Sequence, residues 1–91
     1  MKTFEIEVKG KDRLYNKINV SVDTETKEIK ADALIISGQY AGISFSEFDP
    51  AFGAIEYIFD TEYTSLEQNI CDEIEIWLSE DGQLEVFCSV A

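Results

Sequence analysis

Glu73, Glu75 and Glu85 alternate with apolar residues in "DEIEIWLSEDGQLEVF", residues 72–87, and two large aromatics, Trp77 and Phe87, are interleaved with them. Carboxylates in such a row can bind cations, exchange protons, or pair with the lysines and arginines of a partner. The commoner catalytic combinations are closed to this chain. It has no histidine, which removes Ser/His and Cys/His nucleophilic pairs and histidine metal sites. Lysine occurs only in the first thirty residues. The expectation is a protein that is not an enzyme and uses no cofactor and no metal.

The remaining chemical motifs are weak. "GQYAG" (38–42) matches neither a Walker loop nor a dinucleotide fingerprint and reads as a turn. Asp23 with Glu28 and Lys30 echoes the D…ExK arrangement of metal-dependent nucleases, where two carboxylates hold Mg²⁺ and a lysine activates water. Those are three common residues on a polar hairpin, and a net charge of −12 would repel a nucleic-acid substrate. "SEFDPAFG", "FDTE" and "SEDGQ" are oxygen-rich turns of the kind calcium uses, but none has the EF-hand spacing. Solvated acidic turns are far commoner than calcium sites. Glu56, Tyr57 and Asp60 in "AIEYIFD" (54–60) carry the alternative reading, a small enzyme or ligand-binding domain with carboxylates in a cleft. A structural or assembly subunit joined through sheet edges is a further alternative. Cys71 and Cys88 form no CxxC pair and read as reduced, partly buried thiols, with a disulfide the lesser alternative.

Charge is distributed unevenly. All seven basic residues lie in the first thirty, together with six acids, for a local net of +1. From Ala31 onward there are thirteen acids and no base. Such asymmetry points to a charged partner. A domain needing only solubility would intersperse lysines among its carboxylates.

Ninety-one residues, 45 % of them hydrophobic, predict one small globular domain over 1–91. No apolar run is long enough to cross a membrane, and "MKTFEIEVKGK" is charged throughout, so a soluble, cytoplasmic protein is expected. Period-2 alternation dominates. Phe4, Ile6 and Val8 predict one strand. Ile18, Val20 and Val22 predict a second, which "DTETKE" (23–28) turns back into a third carrying Ile29, Ala31 and Ala33. Pairing Val22 with Ile29, Val20 with Ala31 and Ile18 with Ala33 places every apolar residue on one face. "LII" (34–36) reads as central strand ended by Gly38, "YAGISFSEF" (40–48) as a strand, "DPAFG" (49–53) as a turn, and 54–60 as a buried strand.

Residues 72–87 have two readings. As a hairpin turned by Glu80-Asp81-Gly82, they pair Leu78 with Leu84, Ile76 with Val86 and Ile74 with Cys88. As a helix over 65–79, they give an apolar stripe of Leu66, Ile70, Ile74, Trp77 and Leu78. The hairpin is preferred. A helix would misplace Ile76, set Glu80 and Asp81 at its negative end, and offer no lysine to its acids. The predicted fold is α+β, mainly antiparallel sheet of about five to seven strands, with at most one short helix near 64–71 opened by a Thr64–Glu67 or Ser65–Gln68 capping box. The alternative is the longer helix 65–79 packed on the sheet.

The hairpin reading puts Glu73, Glu75, Trp77, Glu85 and Phe87 on one wet face, with Glu80 and Asp81 at its tip, and these seven are the predicted partner-binding residues. Aromatic anchors ringed by charge make up interface hot spots. Same-face strand residues lie about 6.6–6.8 Å apart, roughly twice the ~3.4 Å axial step of phosphates on one DNA strand, so Glu73 and Glu75 permit nucleic-acid mimicry. In size and charge the chain is similar to small acidic inhibitors: phage-encoded anti-CRISPR and anti-restriction proteins, and the immunity proteins of nuclease toxins. That resemblance implies an interaction or inhibitor protein whose partner is a basic protein such as a nuclease or CRISPR effector, with no direct contact to nucleic acid or membrane.

Overall fold

A computed structural model describes residues 1–10, 14–35, 43–45, 48–80 and 85–91, with the side chains of 14–16, 33–35, 43–45 and 52 left aside. Three long strands open the chain: β1 (Lys2–Lys9), β2 (Leu14–Asp23) and β3 (Glu28–Ile35). The short strand β4 (Ile43–Phe45), helices α1 (Phe52–Ile58) and α2 (Leu66–Glu80), and strand β5 (Phe87–Val90) follow. Every pairing is antiparallel. Four strands make the main sheet, and β4 adds three residues beside β3, for the order β4-β3-β2-β1-β5. The α+β class and the antiparallel sheet are as expected. Among the described residues the main sheet, without the three-residue β4, has four strands against the expected five to seven, because two segments read as strands are helices.

The β2–β3 hairpin keeps the register its pattern demanded, with Val22 opposite Ile29 and Val20 opposite Ala31. Its turn is held by Asp23, whose Oδ1 accepts the amides of Glu25 (3.0 Å) and Thr26 (3.3 Å). Lys27 closes it at φ 61°, the left-handed region. Alternation then sorts the sheet into two faces. Ile6, Val8, Ile18, Val20, Val22 and Ala31 are buried, at 1 % exposure or less. Thr3, Glu5, Lys9, Lys17, Asn19 and Lys30 are exposed on the other side.

Helices cover the buried face. The hairpin preferred for 72–87 is overturned, since α2 runs through Glu80 and β5 pairs with β1, placing Cys88 opposite Val8. The proposed pairings of Leu78, Ile76 and Ile74 with Leu84, Val86 and Cys88 therefore do not exist; Asp81–Leu84 lie outside the described residues. Magnitudes explain the outcome. Ile70, Cys71, Ile74 and Leu78 are buried at 1 % exposure or less, and a fully buried aliphatic side chain is worth about 1.5–3 kcal/mol. The unfavourable charges at the helix end cost only about 0.3–1 kcal/mol each. The sequence objections survive as local features: Ile76 is 48 % exposed, and the last turn of α2 has no base.

Ser65 caps α2, its Oγ accepting the Gln68 amide at 3.1 Å. The Gln68 side chain does not complete the capping box but donates to Asp72 Oδ1 at 2.8 Å. The strand expected over 54–60 is α1 and its end. Ile58 is buried there and Phe59 packs against the core. Gly53 lies inside α1, not in a turn. "GQYAG" and residues 40–42 and 46–47 of "YAGISFSEF" fall outside the described residues, and β4 occupies the middle of the latter. No helix among the described residues is long and apolar enough to cross a membrane.

Candidate partner-binding groove

Helix α2 sorts the carboxylates of 72–80 by angle. Glu73 and Glu75, neighbours on a strand face, stand about 200° apart on a helix of 3.6 residues per turn. The common wet face predicted for Glu73, Glu75, Trp77, Glu85 and Phe87 is therefore corrected, and with it the phosphate-like spacing of Glu73 and Glu75.

Glu73, Ile76, Trp77 and Glu80 follow the i, i+3, i+4, i+7 spacing and form one wall of a groove of about 340 Å³. The opposite wall comes from Phe48, Asp49 and Pro50, the segment leading into α1. Trp77 is half-buried and meets Phe48 edge-on, with ring centroids 6.3 Å apart and planes at 71°. No basic residue lines the groove among the described residues. Burial pushes the Glu73 carboxyl above its ordinary value, with the neighbouring Asp72 charge adding to the effect. A cation brought into the groove would oppose this shift by favouring the ionised carboxylate.

The other predicted residues lie elsewhere. Glu75 points to the opposite flank of α2, where its Oε2 accepts the Cys88 amide at 2.8 Å. Phe87 is 67 % exposed and pairs with Lys9 on the polar face of the sheet. It is no neighbour of Trp77 across a hairpin. Glu85 is exposed just before β5, and Asp81 lies outside the described residues. Glu73, Trp77 and Glu80 are thus brought together and the rest are not. Phe48, Asp49, Pro50 and Ile76 were missed from the sequence. The helical spacing of 73, 76, 77 and 80 held the signal for Ile76, whereas nothing local ties 48–50 to α2.

Other sites offer less chemistry. Asp23 is committed to its turn, and the two amides it accepts lower its pKa. Glu56, Tyr57 and Asp60 are all exposed, and Asp60 Oδ1 accepts the Glu62 amide at 3.3 Å. Among the described residues no three acidic, cysteine or histidine groups could together hold a metal ion. Both cysteines are free thiols. Burial, with Asp72 and Glu75 nearby, pushes Cys71 up to about 11. Burial, with Cys71 and Glu75 nearby, pushes Cys88 up to about 12. Both are protonated and poorly nucleophilic at neutral pH. A broader depression of about 760 Å³ lies on the polar face of the sheet, lined by Glu5, Lys17, Lys30 and Asp32 among others. Its charges are of both signs, as on an ordinary solvated sheet face. No protein-family model, curated protein or solved structure matches this chain.

Proposed function

We propose that the chain is an acidic interaction or inhibitor protein, and that the groove between α2 and residues 48–50 docks a basic, nucleic-acid-binding surface of another protein, such as a nuclease or a CRISPR effector. One observation carries the reading: a groove floored by Trp77 and Phe48 is edged by Asp49, Glu73 and Glu80, with no base among its lining residues. An arginine entering it can stack on the indole and reach a carboxylate with its planar fork. Thirteen acids without a base after Lys30 supply the longer-range attraction that speeds encounter and sets salt dependence. Net charge and aromatic anchoring support the reading; a regular phosphate-like spacing does not contribute to it.

The test is binding of the purified protein to nucleases and CRISPR effectors over 50–300 mM salt. Affinity is expected to fall steeply with salt. Glu73→Lys/Glu80→Lys is expected to weaken binding roughly tenfold or more, the scale of lost charge pairs at an interface. The exposed pair Glu5→Lys/Asp32→Lys, on the polar face of the sheet, serves as a control of equal charge. Binding that ignores salt, or that falls equally in both double variants, would sink the groove as the docking site.

A further inference from the structure

Strand β5 ends the sheet, pairing with β1 on one side and with no strand on the other among the described residues. Its register fixes which way each amide points. Ser89 lies opposite Glu7 and Phe87 opposite Lys9, and the Ala91 amide donates to the Glu5 carbonyl at 3.0 Å. Bonded pairs alternate along an antiparallel ladder, so 87, 89 and 91 turn their amides to β1. Cys88 and Val90 turn theirs outward. The Cys88 amide is met there by Glu75 Oε2 from α2 at 2.8 Å. No side chain among the described residues meets the Val90 amide.

Proteins usually blunt such edges with lysine, proline or a bulge. "VFCSVA" (86–91) has neither a charge nor a proline. Phe87 is 67 % and Val90 36 % exposed, while Val86 is buried and Cys88 packs against the core beside α2, so the stretch is covered on its helix side and open beyond it. Among the described residues, one carboxylate on one amide is the polar guard of this edge.

We infer that the outer edge of β5 accepts an extended, lysine- or arginine-bearing segment of a partner protein as an added strand, and that Glu75 exchanges the Cys88 amide for a cation of that segment. Strand addition supplies main-chain carbonyls to the Cys88 and Val90 amides, which gives affinity, while flanking side chains give preference. The released Glu75 and the exposed Glu85 flank the incoming strand and favour cationic residues in it. A second copy of this chain is disfavoured by the same charges, since β5-to-β5 pairing would bring together two chains of net −12, each with its own Glu75 and Glu85. The inference shares with the groove reading only the cationic character of the partner.

The probe is a blocked seven-residue peptide alternating valine with lysine, compared with one alternating valine with threonine. Each is titrated into ¹⁵N-labelled full-length protein. The expected result is slowed amide exchange at Cys88 and Val90, a loss of the Glu75–Cys88 contact, and a roughly two- to fivefold preference for the lysine peptide, the scale of a cross-strand charge pair. In Glu75→Ala that preference should shrink while the threonine peptide binds no worse. Glu73→Lys/Glu80→Lys should weaken the lysine peptide through net charge while the threonine peptide still slows exchange at Cys88 and Val90, so the edge is read independently of the groove. Shifts scattered over many carboxylates without slowed exchange at Cys88 and Val90 would overturn the inference. So would an unchanged lysine preference in Glu75→Ala. Concentration-dependent protection of those two amides without peptide would assign the edge to a second copy instead.

Discussion

Asn69 lies fully buried where α1 meets α2, and its amide nitrogen donates to the carbonyls of Ile58 and Asp60, each at 3.0 Å. The Ile58 carbonyl belongs to the last turn of α1, which would otherwise leave it unmet, and Asp60 lies just past the helix end. The Oδ1 of Asn69 accepts no hydrogen bond among the described residues. Removing the side chain in Asn69→Ala strands two acceptors in or near the core and should cost about 2–4 kcal/mol in urea denaturation. Asn69→Asp offers the same carbonyls a carboxyl group. Charging it there is unfavourable, so its folded-state pKa is raised and the variant should lose further stability as pH rises through the carboxylate range. Equal stability of Asn69→Asp at pH 4 and pH 8, relative to the parent at each pH, would show that the site is wetter than its burial implies. Glu73, Glu75 and Glu80 carry the same lesson about position. They are three similar carboxylates on one helix, yet two edge a groove and one caps a strand amide.

At the scale of elements, the β1–β3 strands were legible, α1 was read as a strand, and α2 stood only as the alternative helix over 65–79. The alternation in β1 and the β2–β3 hairpin has one consistent reading, because a slip of one residue would turn Val20, Val22, Ile29 and Ala31 to water. In α2, Ile74, Ile76 and Leu78 alternate as a strand would, while Ile70, Ile74 and Leu78 repeat as a helix would. Only the exposure of Ile76 separates the two readings, and exposure is set by tertiary packing. The run 54–60 is apolar on several sides, a pattern common to buried strands and short helices. The candidate site inherited these errors: of the residues chosen, Glu73, Trp77 and Glu80 line one groove, and its other wall, 48–50, is distant in sequence. The Ser65 cap is the element-scale signal that could have tipped the balance, since a helix opened at Leu66 with Ile70, Ile74 and Leu78 in step has reason to continue. Ser65→Ala should cost ~1 kcal/mol, and Ser65→Asp should restore most of it through an equivalent oxygen beside the positive helix end. Thermal melts of the two variants are the check. If Ser65→Ala melts with the parent, the cap contributes nothing to α2.

The whole molecule segregates its charge. Three of the five described lysines, Lys9, Lys17 and Lys30, stand on the polar face of the sheet, and Lys9 and Lys17 pair there with Glu7 (3.6 Å) and Glu5 (4.0 Å). The helical layer has acids only, and one ion pair among the described residues, Lys2 with Glu67 at 2.6 Å, joins it to the sheet. Repulsion within that layer should ease as salt shortens the Debye length from about 30 Å at 0.01 M to about 3 Å at 1 M. The melting temperature should therefore rise by several degrees between those limits, equivalent to ~1 kcal/mol in a domain of this size. At alkaline pH the sign reverses. Above the ordinary thiol value of 9.0 the unfolded chain releases protons that folded Cys71 holds up to about 11 and Cys88 up to about 12, so stability should fall as pH rises across that window. A melting temperature that drops with salt, or is flat above pH 9, would count against this account. A sheet with bases on its outer face, backed by a layer without any, is an electric dipole as well as a net anion. Near a cationic surface it feels a torque as well as a pull. Within a Debye length of such a surface the molecule turns its helices inward and its sheet outward, so that part of the search for orientation is over before any side chain touches.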